Sequence, residues 1–482
     1  MKNKKNNAYL TVCVTLCLAV ILSLFLVLLD GTRQNGARLE VECVTDIGLQ
    51  SILAEYHREL MKQYNLFAVD ASYGTALCSK TNTEAHLRKY LKKNLDYGDV
   101  FLSGYLYGDF LALSLEEAEL TKILILSDYD GGIFRRCAVD AIKADAGLEL
   151  LEELQDWMET MEVNGLEEGN NEAEKQRLDA EIAEYDGMEI EIEEDEWETL
   201  EVKNPTDTLE AQKKLGILKL VVEDEGIVSS NAICTDNLIM NRMEQGQINR
   251  GNIETEVQTG VVERFLFQEY LLRYMGHYGT EYEEDALRYQ IEYLIAGKEN
   301  DVDNLKSIVN RLCMIREAAN AIYLWSNEVK RAEIAAIAGA VCTLITLPQL
   351  TALLEAAILL AWAYAESIYD VKSLLAGGRI PLVKDDNSWH YSLSSALGGN
   401  LQETTSDGKG LSYADYLRIF MMMTNVDTLT ARAMNMVEAD IRNTPGNSGF
   451  RLDGCYETVE ARIRMGSVHG HQYEITRIAG YH

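Results

Sequence analysis

Hydrophobic and polar positions fall into distinct blocks along the 482 residues, and the first block is the most apolar. Ala8 to Leu29 runs 22 residues without a charge, and 14 of these are Leu, Ile, Val or Phe. At roughly 1.5 Å per residue this helix is about 33 Å long, enough to cross a hydrocarbon core of about 30 Å. Lys2, Lys4 and Lys5 precede the run and Asp30 follows it. The positive-inside rule therefore leaves residues 1–7 as a cytoplasmic stub and exports the chain beyond residue 30. A retained anchor is favoured over a cleaved signal sequence, because the run is longer than a signal core and no Ala-x-Ala site follows.

Beyond the anchor, Leu49, Ile52, Leu53, Tyr56, Leu60 and Tyr64 have helical spacing and predict a helix after residue 44, broken within Asn65–Gly74. Leu87, Tyr90, Leu91 and Leu95 predict a second helix with Thr83 as its N-cap. Phe101–Leu106 and Leu120–Leu126 are rich in β-formers and predict a small sheet. Asp128-Tyr129-Asp130-Gly131-Gly132 starts like a calcium loop but lacks the third acidic ligand and the distal Glu. It reads better as a turn capping a helix from Phe134 through Met161.

The C-terminal half reads as a helical bundle. Helices are predicted over Pro205–Leu215, Val261–Met275 and Glu284–Ala296, the last ended by Gly297. Ile308, Leu312, Ile315, Ala319, Ile322, Ser326 and Val329 repeat at four and three residues, the seam of a helix packed in a bundle core. Ile334–Leu354 carries no charge, but its alanines and threonines weaken its drive into lipid and Pro348 divides it. With Ala356–Ala365 it is read as a buried helical hairpin. Ile380–Val383 and Trp389–Leu393 are candidate strands around an Asp385-Asp386-Asn387 turn. Ser412–Thr424 and Thr428–Arg442 are candidate helices, and Tyr456–Met465 with Gln472–Ile478 a hairpin.

Charge alters this picture in one place. The formal net charge is −33, yet Glu149–Glu201 holds 22 acids against Lys175 and Arg177, so that stretch alone contributes −20. It reads as an exposed, solvated insertion. A negative field without a basic stripe excludes nucleic acid as a partner. Nine cysteines, seven outside the anchor, are scattered singly. They suit mostly buried thiols with at most one or two bridges rather than a disulfide scaffold.

The usual catalytic motifs, H-E-x-x-H, G-x-S-x-G, G-x-G-x-x-G and the P-loop, are not found, and Gly408-Lys409-Gly410 lacks phosphate-loop spacing. His469-Gly470-His471 is read as a polar hairpin turn rather than a metal site. No catalytic, cofactor-binding or metal-ligating residue, and no cofactor, follows from the sequence.

These readings divide the chain into residues 1–7 (stub), 8–29 (transmembrane anchor), 30–148 (membrane-proximal α+β region), 149–204 (acidic insertion), 205–376 (helical bundle with buried hairpin) and 377–482 (C-terminal α+β region). The expected fold class is α+β, a mainly helical ectodomain with small antiparallel sheet elements behind one N-terminal transmembrane helix.

The anchor with Leu29–Arg33, Asp46 and Tyr56–Phe67 resembles an uncharacterised Firmicutes membrane-anchored family associated with Tad (Flp) pilus loci, distantly similar to TadE/TadG pseudopilins. Tyr289–Lys298, Asn310–Leu312, Ile315–Asn320, Ala361–Ser367 and Gly410–Leu417 carry the same resemblance. It implies a structural or assembly component of a Tad/Flp-type pilus or secretion apparatus, with the membrane and apparatus proteins as partners. Asn7-Ala8 lacks the Gly of a prepilin cleavage site, and no acid lies within Ala8–Leu29, which favours a static envelope component over a pilus subunit. Thr11, Thr15, Ala19 and Ser23 form a small-residue stripe suited to lateral self-association of anchors. The alternatives from other classes are a membrane-tethered hydrolase and a surface sensor or adhesin.

Overall fold

One helix carries the chain out of the membrane and into folded structure: α1, Lys2–Leu53, is unbroken over 52 residues. A computed structural model describes residues 2–75, 77–96, 111, 113–143, 149–166, 171–185, 189–193, 196–199, 216–222, 225–242, 251, 253–256, 260–280, 286–344, 350–398, 408–468 and 470–481. Contacts group the chain into two units, each assembled from separated stretches. Unit 1 is Met1–Cys137, Met243–Val257 and Thr444–His482; unit 2 is Ala138–Arg242 and Gln258–Asn443. The region expected as 377–482 is thus shared, its helices in unit 2 and its strands in unit 1.

In unit 1 the apolar run of α1 is exposed, with mean hydropathy 3.1 in its most apolar window and none of that window buried. This is the membrane anchor of a single-pass protein whose large remainder is extracytoplasmic. Downstream, Ala37, Val41, Val44, Leu49 and Ile52 are buried at spacings of three to five residues, so the same helix becomes amphipathic. The separate helix expected after residue 44 is therefore corrected. The polar stretch at 30–35 does not stop α1, because it is satisfied along the helix: Thr32 Oγ1 donates to the Leu28 carbonyl at 2.7 Å and Gln34 Nε2 to Asp30 at 2.8 Å. Tyr56 falls in the bend after α1, while Leu60 and Tyr64 lie on a short helix, α2 (Arg58–Tyr64), which ends at the left-handed Asn65.

The stripe of α1 packs on a sheet and on a second helix. In chain order the elements of unit 1 are β1 (Val69–Asp70), α3 (Lys80–Leu95), the second helix on which the stripe packs, β2 (Leu113–Ile125), the first part of α4 (Asp128–Ile142), β3 (Cys455–Ser467) and β4 (Gln472–Gly480). The four strands form one antiparallel sheet among the described residues, with β3 central, β2 along one edge and β1 then β4 along the other. Val41, Val44, Leu49, Leu87, Leu91, Ile123, Val459 and Ile463 share its core. Gly48 admits the close approach of α1 to α3, since a Cβ there would lie 2.7 Å from Leu91 Cδ2.

Several sequence expectations change here. Ser79, not Thr83, caps α3, and Thr83 is buried inside the helix. Leu120–Ile125 is strand as expected, but β2 pairs with the distant β3, and Phe101–Leu106 lies outside the described residues. The Asp128 turn is confirmed. Tyr129, Asp130 and Gly131 are left-handed and Asp128 Oδ2 accepts from Ile125 N at 2.9 Å. The helix after it stops at Ile142 instead of continuing through Met161.

Unit 2 is helical: α5 (Glu149–Val163), α6 (Asn171–Ala183), α7 (Val261–Tyr274), α8 (Gln290–Ala296), α9 (Asp301–Ser326), α10 (Glu328–Leu344), α11 (Thr351–Leu375), α12 (Tyr413–Met423) and α13 (Val426–Asn443). A small hairpin joins Glu189–Glu193 to Glu196–Thr199. Helix α11 lies at the centre, packed by α6, α9 and α10. It is long and apolar enough to span a membrane, yet 72% of its most apolar window is buried in the fold, whereas α10, expected as the other buried arm, buries the stripe Ile334, Ala338 and Cys342 and leaves most of its remaining described positions exposed. Pro348 lies outside the described residues.

The acidic stretch is corrected over its first part. Leu151, Leu154, Met161, Leu178 and Ile182 are buried, with α5 on α12 and α6 on α11. Glu152, Glu153, Asp156, Glu159, Glu162 and Glu174 lie on the exposed side of these helices, so a high net charge coexists with a core-facing stripe. Pro205–Leu215 lies outside the described residues. Helix α8 starts at Gln290 rather than Glu284 and ends as expected at the left-handed Gly297. The seam is buried on α9 through Ala319, Ile322 is exposed, and Val329 falls beyond the break at Asn327, exposed on α10. The two strands expected near 380 and 390 reduce to one bridge, Ile380 to Leu411. Cys137, Cys313, Cys342 and Cys455 are buried cysteines.

Candidate functional site

A concave feature of unit 1 begins just past the end of α1. A cleft of about 610 Å³ is bounded by three segments, 55–59, 70–75 and 446–450. The first enters α2, where His57 is the N-cap and its Nδ1 accepts from Leu60 N at 3.2 Å. The second leaves β1 as an Asx turn: Asp70 accepts from Ser72 N at 2.8 Å and Ser72 Oγ at 2.7 Å. The turn forces Tyr73 into a left-handed conformation, φ 48°, uncommon for a bulky residue and a place where local strain is held by its surroundings. The third segment carries Asn447, whose Oδ1 lies 3.3 Å from His57 Nε2 and whose Nδ2 donates to Thr444 Oγ1 at 2.7 Å.

Behind the cleft, Glu55 is gripped from α3. Tyr90 donates to Glu55 Oε1 at 2.5 Å and His86 Nδ1 lies 3.0 Å from Oε2. The Tyr73 ring stacks on His86, centroids 4.0 Å apart. Burial, with the Glu55 charge adding to it, raises the Tyr73 hydroxyl above its ordinary range, and the hydrogen bond to Glu55 raises that of Tyr90. Phe450 packs against the His57 ring at 4.7 Å. Sequence reading missed this cleft because its third wall, 446–450, lies far along the chain from the other two. The Tyr56–Phe67 motif forms one of them, and its left-handed Asn65 is the local signal of a chain reversal.

Midway along α1, the β3–β4 turn places His471 Nε2 3.3 Å from Gln34 Nε2 and 3.9 Å from Asp30 Oδ1. His471 is thus part of a polar turn, as expected, and His469 lies outside the described residues. On the anchor, Thr15 and Ser23 each donate to a carbonyl of their own helix at 2.9 Å, so these two stripe hydroxyls are already bonded.

In unit 2 the residues that carried the resemblance converge on buried polar networks. Arg316 and Asn320 on α9 meet Glu366 and Asp370 on α11, with Lys384 between the two acids. Arg316 Nε donates to Asp370 at 2.9 Å and Nη1 to the Pro381 and Leu382 carbonyls, both at 2.9 Å. Glu366 also accepts from the backbone of His390 and Tyr391, both at 2.8 Å. Every ion here is fully enclosed, which fixes helix geometry more than it offers chemistry to a ligand. Nearby, burial raises the Glu292 carboxyl to about 7 despite hydrogen bonds from Tyr413 and Tyr278 N. Ser412 and Asp415 form a capping box at the start of α12. Gly408-Lys409-Gly410 leads into the Ile380–Leu411 bridge.

Between α10 and α11 runs a mostly apolar groove of about 450 Å³, lined by Trp325, Ala332, Ala335, Ala356 and Leu359 with Glu328, Arg331 and Glu355 at its edges. Trp325 is 66% exposed.

A family of unknown function, DUF5702, matches residues 195–467, which include α7 to α13 and β3. The chain belongs to this family. No curated protein and no solved structure matches the chain. The family's span holds the buried ion cluster, the Glu292 network and the 446–450 wall of the cleft, while α1 to α4 precede it.

Proposed function

We propose that this DUF5702 protein is a structural or assembly component of a Tad/Flp-type pilus or secretion apparatus in the cell envelope. The observation that carries this reading is the continuity of α1. Its apolar part lies exposed, and its amphipathic part forms one wall of the unit 1 core. A contact made in the bilayer by such a rod sets the position of the sheet directly, without a hinge. The small residues Thr11, Thr15, Ala19 and Ser23 suit close helix approach, and the apolar α10–α11 groove suits a protein partner.

Crosslinking in cells tests the proposal. Full-length protein should recover pilus or secretion components, and replacing Ala8–Leu29 by an unrelated spanning helix should reduce that recovery at equal expression. Recovery of none with the native anchor would overturn the reading. The competing reading, a tethered hydrolase, draws on Glu55 and Asp70 in the cleft; turnover lost in Asp70→Asn would favour it.

A further inference from the structure

We propose that the unit 1 cleft is a binding site for a neutral, polyhydroxylated oligosaccharide. Its size, about 610 Å³, lies in the range of small-ligand sites. A sugar ring presents C–H faces to flat apolar groups and a rim of hydroxyls to planar hydrogen-bonding groups. The cleft offers both kinds of surface side by side: the half-buried rings of Tyr56 and Tyr73, and the polar groups of Glu55, Asp70 and Asn447.

Three further observations narrow the ligand class. Glu55, Glu59 and Asp70 outnumber Arg58 among the charged lining residues, so phosphate and other anions are repelled. The polar groups are held before any ligand arrives: Glu55 by Tyr90 and His86, Asp70 by Ser72, and Asn447 by Thr444. Each retains hydrogen-bonding capacity beyond those contacts, and their fixed positions lower the ordering cost of binding. Finally, Asp30 to Leu53 rises about 35 Å at roughly 1.5 Å per residue. The cleft opens just beyond Leu53, so it is far from the lipid surface and faces soluble or envelope-bound ligands.

The full-length protein in nanodiscs, free of sugar-headed detergent, is titrated calorimetrically with chitotetraose and, separately, maltotetraose. At least one should bind with a dissociation constant of about 10 μM to 1 mM. Asn447→Ala should weaken it at least about tenfold, the loss of roughly 1.4 kcal/mol expected for one good hydrogen bond. Ser448→Trp, on an exposed loop residue at the rim, should block binding while leaving the melting temperature unchanged. Failure of both sugars to bind at 10 mM, or binding indifferent to both substitutions, overturns the proposal. Binding of tetralysine but of neither sugar also overturns it and makes the cleft a cationic-peptide site.

Discussion

His471 Nε2 stands 3.9 Å from Asp30 Oδ1, so the β3–β4 turn meets α1 at the residue that closes its apolar run. The turn therefore lies at the lipid headgroup level, and Val468 within it is 80% exposed. A photoreactive amino acid placed at position 468 in nanodiscs should crosslink to phospholipid. The same group at Leu77, which follows the cleft segment 70–75 of unit 1, should not. Equal lipid labelling at both positions would contradict this orientation.

Glu292 makes the stability of unit 2 depend on pH. Burial raises its carboxyl from an ordinary 4.5 to about 7, and Oε2 has no hydrogen-bond partner among the described residues. Its contribution is fully present below pH 4.5 and is lost as the pH rises through 7, because ionisation in place is costly. Between pH 5 and 8 this amounts to about 2–3 kcal/mol. Chemical denaturation should show Glu292→Gln losing less stability than the parent over that interval; identical pH slopes would refute the assignment.

The enclosed cluster of Arg316, Asp370, Lys384 and Glu366 is sensitive to loss of one member. Asp370→Ala leaves Arg316 and Lys384 short of a counter-ion in a site with no exposure. The expected cost is about 3–5 kcal/mol, measured as a lower calorimetric transition. A change within about 0.5 kcal/mol would show that water reaches the site.

The acidic stretch is integral to unit 2 up to Ala183. Leu154→Ala on α5 should cost about 2–5 kcal/mol, and deletion of residues 149–183 should abolish cooperative unfolding of unit 2. A deletion variant that keeps its full transition would restore the view of this stretch as a solvated appendage.

Features written in local pattern were legible in the sequence. The uncharged run Ala8–Leu29 marks the anchor, Ser412 marks the start of α12, and alternation around Gly466–Gly470 marks the β3–β4 hairpin. Features that depend on distant pairing were not. Thr121 Oγ1 donates to Glu460 at 2.6 Å across 339 residues, a partnership that no local window contains. The cleft is hidden for the same reason, since Glu55, Asp70 and Asn447 meet only after β1 pairs with β3. Net charge misled for α5 and α6, because counting acids ignores which side of a helix they occupy.

The central position of β3 gives unit 1 a form of quality control. The anchor, the α1 stripe and β2 are all made before β3, yet they share a core with it. A chain stalled in export before Cys455 is already tethered, but with Val41, Val44 and Ile52 uncovered and the β2 edge unpaired. Such a stub invites proteases and aggregation at the membrane surface. Only a protein exported through both strands of the hairpin completes the core that the α1 stripe shares with the sheet.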